Sequence, residues 1–229
     1  SGDVGLAGAT TLTVASELTL GGVVSGANDL TKAGSAGLTL SGVNTFTGAT
    51  VVDAGTLTLS GGSALVNSMA VTVNAGGTLK LASSEEIATL AGAGAVNLQA
   101  NVLTLSGSSD TVYGGVMSGS GRLVKSGSAA LTLTGVNTFT GGSTVSNGAV
   151  LVGDDAAFGT GTVVFSGGKI ASDSGTSRTL GNALTLSGAL ALGDGTNTGA
   201  LTFSGNAALS AATTLTVASG VTMGGVVSG

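Results

Sequence analysis

The sequence predicts an all-β protein, a right-handed parallel β-helix (β-solenoid) of about eleven coils of roughly 20 residues each. Three observations predict it. Apolar–x–apolar triplets recur along the chain at intervals near one coil. Two long stretches repeat each other without gaps. The composition supplies strands and turns and withholds the residues on which other architectures rely.

The chain has 229 residues, of which 43 are Gly, and it lacks Pro, Cys, Trp and His. Only 7% of residues are charged, against about 25% in an ordinary domain. Disorder is not implied, because disorder also needs low hydrophobicity and 42% of this chain is apolar. The remainder is mainly Gly, Ser, Thr and Asn, which suit strand faces and tight turns. Apolar residues alternate with Thr and Ser. Even the most apolar stretch, Ala91–Leu105, is interrupted by Asn97, Gln99 and Asn101, so no membrane-spanning helix is expected. Without a start Met or a basic leader, a mature or excised segment is expected. The net charge is −5 and the six basic residues are scattered, which excludes a nucleic-acid footprint. Without Cys there is no disulfide framework and no thiolate metal site.

The triplets are Leu18–Leu20, Leu38–Leu40, Leu57–Leu59, Leu79–Leu81, Leu103–Leu105, Leu131–Leu133, Val150–Val152, Leu184–Leu186 and Leu201–Phe203. In a strand the outer two residues of each face one way and the middle residue, commonly Thr, faces the other. That is the signature of a half-buried strand. One such coil cannot bury its apolar side alone, but stacked coils bury a continuous core.

The longer repeats lie above this rhythm. Gly21–Leu59 returns as Gly114–Val152, an offset of 93, with 22 of 39 positions identical and GVNTFTG shared at Gly42–Gly48 and Gly135–Gly141. Ala9–Gly26 returns as Ala212–Gly229, an offset of 203, with 15 of 18 identical. Repeat units thus start near residues 21, 114 and 224. Residues 1–229 are read as one continuous solenoid segment, a window on a longer array whose partners are adjoining coils of the same parent chain or identical subunits. Gly42, Gly48, Gly135 and Gly141 fit corners that need positive φ or close backbone approach, with Asn44 and Asn137 bonding the local backbone. The absence of Pro suits strands paired on both edges. Ser83–Ala91 is the best short-helix candidate, with Ser as cap and acids in its first turn; a loop between coils is the alternative. A β-sandwich or barrel is the competing fold, disfavoured because hairpin folds rarely repeat so closely in sequence.

The pattern GGVxSG…LxKxG…LTLxGxNTFTG…G…L, present at Gly21–Leu59 and Gly114–Val152 and beginning again at Gly224, is similar to the autotransporter-associated β-strand repeat. The resemblance implies a right-handed β-helix exposed outside a Gram-negative-type cell, in the passenger region of an autotransporter or a related large surface protein.

Nothing in the sequence assembles a catalytic, cofactor-binding or metal-ligating set. The adjacent carboxylates Glu85/Glu86 and Asp154/Asp155 point to opposite sides if they lie in strands, and are read as solvated turn charges. Gly193–Gly199 offers calcium only Asp194 and Asn197, too few for six to eight oxygen ligands, and is read as an Asp-Gly turn. Serine has no His base. Lys32 and Lys125, equivalent in the two copies, are read as outer-face charges that discourage sticking. Phe46 and Phe139 are read as buried, stacked on equivalents or against a corner. The expected function is therefore a stiff structural or adhesive segment of an extracellular, cell-surface or secreted bacterial repeat protein, without enzymatic activity or cofactor. The alternatives are an adhesin whose loops, such as Gly107–Val112 or Gly168–Arg178, bind host or neighbouring-cell ligands, and, more remotely, a polysaccharide-acting β-helix enzyme.

Overall fold

The computed structural model describes residues 2–67 and 69–229. Among them every strand pairing is parallel, which excludes the hairpin-built sandwich or barrel. A coil has three faces in succession, most of them strands. In the first coil these are Val4–Gly5, Thr10–Thr13 and Leu18–Leu20. Each pairs with its successor 20 residues on, at Val24–Ser25, Leu30–Ala33 and Leu38–Leu40. We call them the first, second and third faces. The first face has no strand at Asn44 and Ala64, and the third none at Asn137 and Ala157.

The first face can be followed step by step. From Val24 it passes through Asn44, Ala64, Glu85, Leu103, Leu123, Ser143, Val163, Leu184 and Ala207 to Val227. These ten steps cover 203 residues, so the longer sequence repeat is ten coils. With the coil before Val24, the chain forms the eleven-coil solenoid that the triplets predict. At about 4.8 Å per parallel step the stack rises on the order of 50 Å. Coil length varies where turns take up or lose residues: Thr78 pairs with Ala95, 17 residues on, and Leu190 with Leu215, 25 on.

All nine predicted triplets are strands. The reason is visible in Leu38–Leu40, where both Leu are buried and Thr39 is half-exposed. Each fully buried Leu contributes about 1.5–3 kcal/mol relative to exposure, and the buried residues join one core running from Leu6 to Ala207. The triplets do not, however, form a single column. Leu18, Leu38, Leu57 and Leu79 stack on the third face, but Leu79 then pairs with Val96. Leu103 belongs to the first face, pairing with Glu85 and Leu123, and Leu131 and Val150 to the second.

The cause is the length of the shorter repeat. Met117, the counterpart of Val24, pairs with Val96 and so lies on the third face, whereas Val24 lies on the first. Leu123, the counterpart of Leu30, lies on the first face instead of the second. The 93-residue offset is thus four coils and two faces. The second copy is the first one rotated by a third of a turn.

The short helix considered at Ser83–Ala91 does not form. Glu85–Ile87 and Thr89–Gly92 are strands, with Glu85 and Ile87 facing inward in register with Leu103 and Leu105. A helix here would strip the neighbouring coils of their ladder partners, and buried backbone groups are rarely left unpaired.

Candidate functional site

The repeated turn GVNTFTG builds a corner from the inside. Asn44 is buried. Its Oδ1 accepts from the backbone N of Val24 at 2.8 Å, and its Nδ2 donates to the carbonyl of Ala64 at 2.7 Å. One side chain therefore spans three successive coils. Asn137 does the same, accepting from Met117 N at 2.7 Å and donating to Ala157 O at 2.7 Å. The expectation of local backbone bonding is not met: the bonds reach 20 residues each way, to the neighbouring coils. Glu85 continues the first of these columns, accepting from the N–H groups of Ala64 and Leu65 at 3.3 and 3.0 Å.

The turn glycines permit this closeness. A Cβ on Gly42 would stand 2.2 Å from the carbonyl oxygen of Gly22, and one on Gly135 would stand 2.0 Å from that of Gly115. Gly48 and Gly141 are under the same constraint, from Asn28 and Gly121. Close approach, rather than positive φ, selects Gly at all four. Phe46 and Phe139 are both fully buried. Being 93 residues apart and on different faces, they fill separate parts of the core, with Phe139 lying against Gly159.

Lys32 and Lys125 are not on the outer face. Both are buried. In Leu30–Ala33 the inward residues are Leu30 and Lys32, and in Arg122–Lys125 they are Leu123 and Lys125. The strand period of two made this legible, since each Lys follows an inward Leu by two residues. The Lys32 ammonium donates to the carbonyls of Ala33, Gly34 and Ala54 at 2.8–2.9 Å, tying a corner to the coil above. Lys125 donates to Gly127 O. Burial lowers the pKa of both below the ordinary lysine value, partly offset by Glu17 near Lys32 and Asp110 near Lys125.

The carboxylates serve the ladder as well. Asp3, Glu17, Asp29 and Asp110 accept backbone N–H groups 20 residues on, at Val23, Gly37, Ala49 and Ala130, at 2.7–2.9 Å. Asp154 and Asp155 diverge: the first closes its own turn onto Ala156 N, the second caps Thr179 N in the next coil. Glu85 and Glu86 point to opposite sides, as strand alternation requires. Glu85 is not a solvated turn charge, however, and its burial raises its pKa. Asp194 closes an Asp-Gly turn onto Thr196 N at 2.7 Å and pairs with Lys169. That contact is the main reason its pKa falls to about 2.

Several shallow grooves interrupt the wall among the described residues, two of them lined by hydroxyl and amide side chains. The larger, of about 510 Å³, lies between the turn holding Asn67 and the bend Ser106–Ser109, and is floored by Ala88 and Thr89. It includes part of the predicted loop Gly107–Val112; of the rest, Thr111–Val112 is strand. The other, of about 470 Å³, is lined by Asn97, Gln99, Asn101 and Ser120. The second predicted loop is half ladder: Gly168–Ser172 is a strand, and the bend after it is pinned by an Asp173–Arg178 ion pair at 3.0 Å.

The passenger-associated-transport-repeat family model matches residues 30–59 and 123–152. The matched stretches contain Lys32, Asn44 and Phe46 in one copy and Lys125, Asn137 and Phe139 in the other. No curated protein matches the chain.

Proposed function

Residues 30–59 and 123–152 carry the passenger-associated transport repeat, and on that footing we propose that this chain is a stiff, non-catalytic rod segment of a secreted or surface-exposed bacterial passenger. The observation that supports this most directly is the first face, which stacks from Val24 to Val227 through side-chain hydrogen bonds as far as Glu85 and strand ladders beyond it, around an apolar core that runs from Leu6 to Ala207. Charged groups serve the ladder: Asp3, Glu17, Asp29 and Asp110 cap backbone N–H groups, and Lys32 and Lys125 cap carbonyls. Bending such a stack requires breaking bonds between successive coils, so the element resists shear and leaves few frayed segments to proteases. Electron microscopy of the parent protein tests this. Straight rods or filaments are expected, and compact globular particles overturn it.

An adhesive role for the same wall is favoured by one observation, the groove beside Asn67 and Ser106–Ser109. Its uncharged hydroxyl and amide lining suits a polar ligand on a host or neighbouring cell. Replacing Ser106, Ser108 and Ser109 with Ala should abolish cell binding while leaving the fold intact. Unchanged adhesion removes this reading and leaves the rod.

A further inference from the structure

We propose that Asn147 is a self-modifying position, whose side-chain amide converts spontaneously to an aspartyl or isoaspartyl residue through a cyclic imide formed with the backbone nitrogen of Gly148. Asn147–Gly148 is the one Asn-Gly pair in the sequence. It lies in the corner between Ser143–Val145 and Ala149–Val152. Asn147 is exposed there, so water reaches its amide.

The corner holds the two reacting groups together. Gly148 is in the left-handed region, at φ +68°, and its N–H donates to the side-chain Oδ1 of Asn147 at 2.8 Å. The Cγ carbon is one C=O bond of about 1.23 Å from that oxygen, which keeps it within about 4 Å of the nitrogen. Reacting atoms about 3–3.5 Å apart are in near-attack range, so a small rotation about the side chain suffices. Gly148 also offers no Cβ to shield the approach.

The chemistry needs only water and solvent base. The Gly148 nitrogen gives its proton to base and attacks Cγ. The new C–N bond closes a five-membered ring, and the Cγ–Nδ2 bond breaks as the amide nitrogen leaves with a proton as ammonia. Water then adds at either ring carbonyl. Opening one C–N bond restores the normal backbone with an Asp side chain. Opening the other routes the backbone through the former side chain, lengthening it by one carbon.

The corner has no slack for that extra carbon. A Cβ on Gly148 would stand 2.4 Å from the carbonyls of Gly127 and Ala129 and 2.7 Å from the Lys125 ammonium. The longer linkage must therefore push outward, loosening one corner of the wall. The first copy supplies an internal control. There the equivalent residues are Asp53, Ala54 and Gly55, and Gly55 has φ +66°. The turn is the same and the amide is absent.

The test incubates the folded protein at physiological pH and maps amide-to-acid conversion by peptide mass spectrometry, with isoaspartyl methyltransferase labelling to identify the rearranged linkage. Conversion at Asn147 should run roughly tenfold or more ahead of Asn197, a half-buried bend Asn followed by Thr, as expected for positioned groups. Asn147→Gln should abolish the isoaspartyl signal. Ala54→Asn should create a second modified site at residue 54. The proposal is overturned if Asn147 in the folded chain converts no faster than Asn197, or if Ala54→Asn, folded as judged by circular dichroism, gains no site.

Discussion

Asn44 and Asn137 make the same two hydrogen bonds, each accepting from the coil before it and donating to the coil after it, yet they stand on different faces of the solenoid. The local motif thus carries its own wiring and does not depend on which side of the coil it occupies. The buried amide is worth most where both neighbours are otherwise unpaired, and here those neighbours are Val24 N and Ala64 O in one copy, Met117 N and Ala157 O in the other.

Asn44→Ala should therefore lower stability by about 2–4 kcal/mol, since each stranded buried backbone group costs about 1–3 kcal/mol. Asn137→Ala should cost a similar amount. Urea unfolding followed by circular dichroism measures this, and a change below about 0.5 kcal/mol for both, the size of an ordinary surface substitution, would show that water replaces the amide.

The buried lysines make a pH signature. The folded state holds the Lys32 and Lys125 protons less tightly than the unfolded chain does, because burial lowers both pKa values from 10.5. Between the lowered values and 10.5 the unfolded chain binds more protons, so these residues make stability rise with pH in that window. The contribution is fully present above 10.5 and is lost as pH falls through the folded values. Tyr113 works against it at the upper end, since burial raises its pKa above the ordinary 10.0. Lys32→Met with Lys125→Met should flatten the rise. Unfolding midpoints taken from neutral pH up to 10 test it, and an unchanged slope would refute it.

Gly42→Ala and Gly135→Ala should each destabilise by about 1–3 kcal/mol or more, the range for forcing extra volume into packed structure. The intruded atoms are backbone carbonyls, which cannot rotate away. Gly175→Ala is the control, because nothing lies within 4 Å of its added Cβ, and it should stay within about 0.5 kcal/mol of the parent. Thermal melts of the three variants separate the outcomes.

Removing residues 21–113, the 93 residues of one repeat offset, should leave a folded protein. Gly114 then follows Leu20 in the place of Gly21, and every later strand turns by one face together. The product should be shorter by about 20 Å at about 4.8 Å per coil, which small-angle scattering resolves. An unfolded product would mean that the faces are not equivalent.

The coil period, the strand triplets and the corner glycines were legible in the sequence because each rests on local alternation or on a direct repeat. The face assignment was not. Leu79 and Leu103 look like neighbours in one column, but Val96 and Asn97, outside any Leu-x-Leu triplet, supply the strand that Leu79 and Lys80 meet. Lys32 was misplaced because charge suggested solvent, whereas the inward Leu30 two residues earlier and a ring of carbonyls decided otherwise. Glu85 was misplaced for a related reason: two adjacent acids suggested a polar turn, but the Ala64 and Leu65 N–H groups needed an acceptor.

The third-of-a-turn rotation between copies also bears on how such a chain can change over generations. Recombination between misaligned repeats deletes or duplicates whole offsets in the gene, and in most folds the rejoined halves would not fit. Here the junction meets the same polar rung and the same close glycine on whichever face it lands. Length can then drift by unequal exchange while the rod stays closed along its sides, which makes reach, rather than sequence, the property most easily altered.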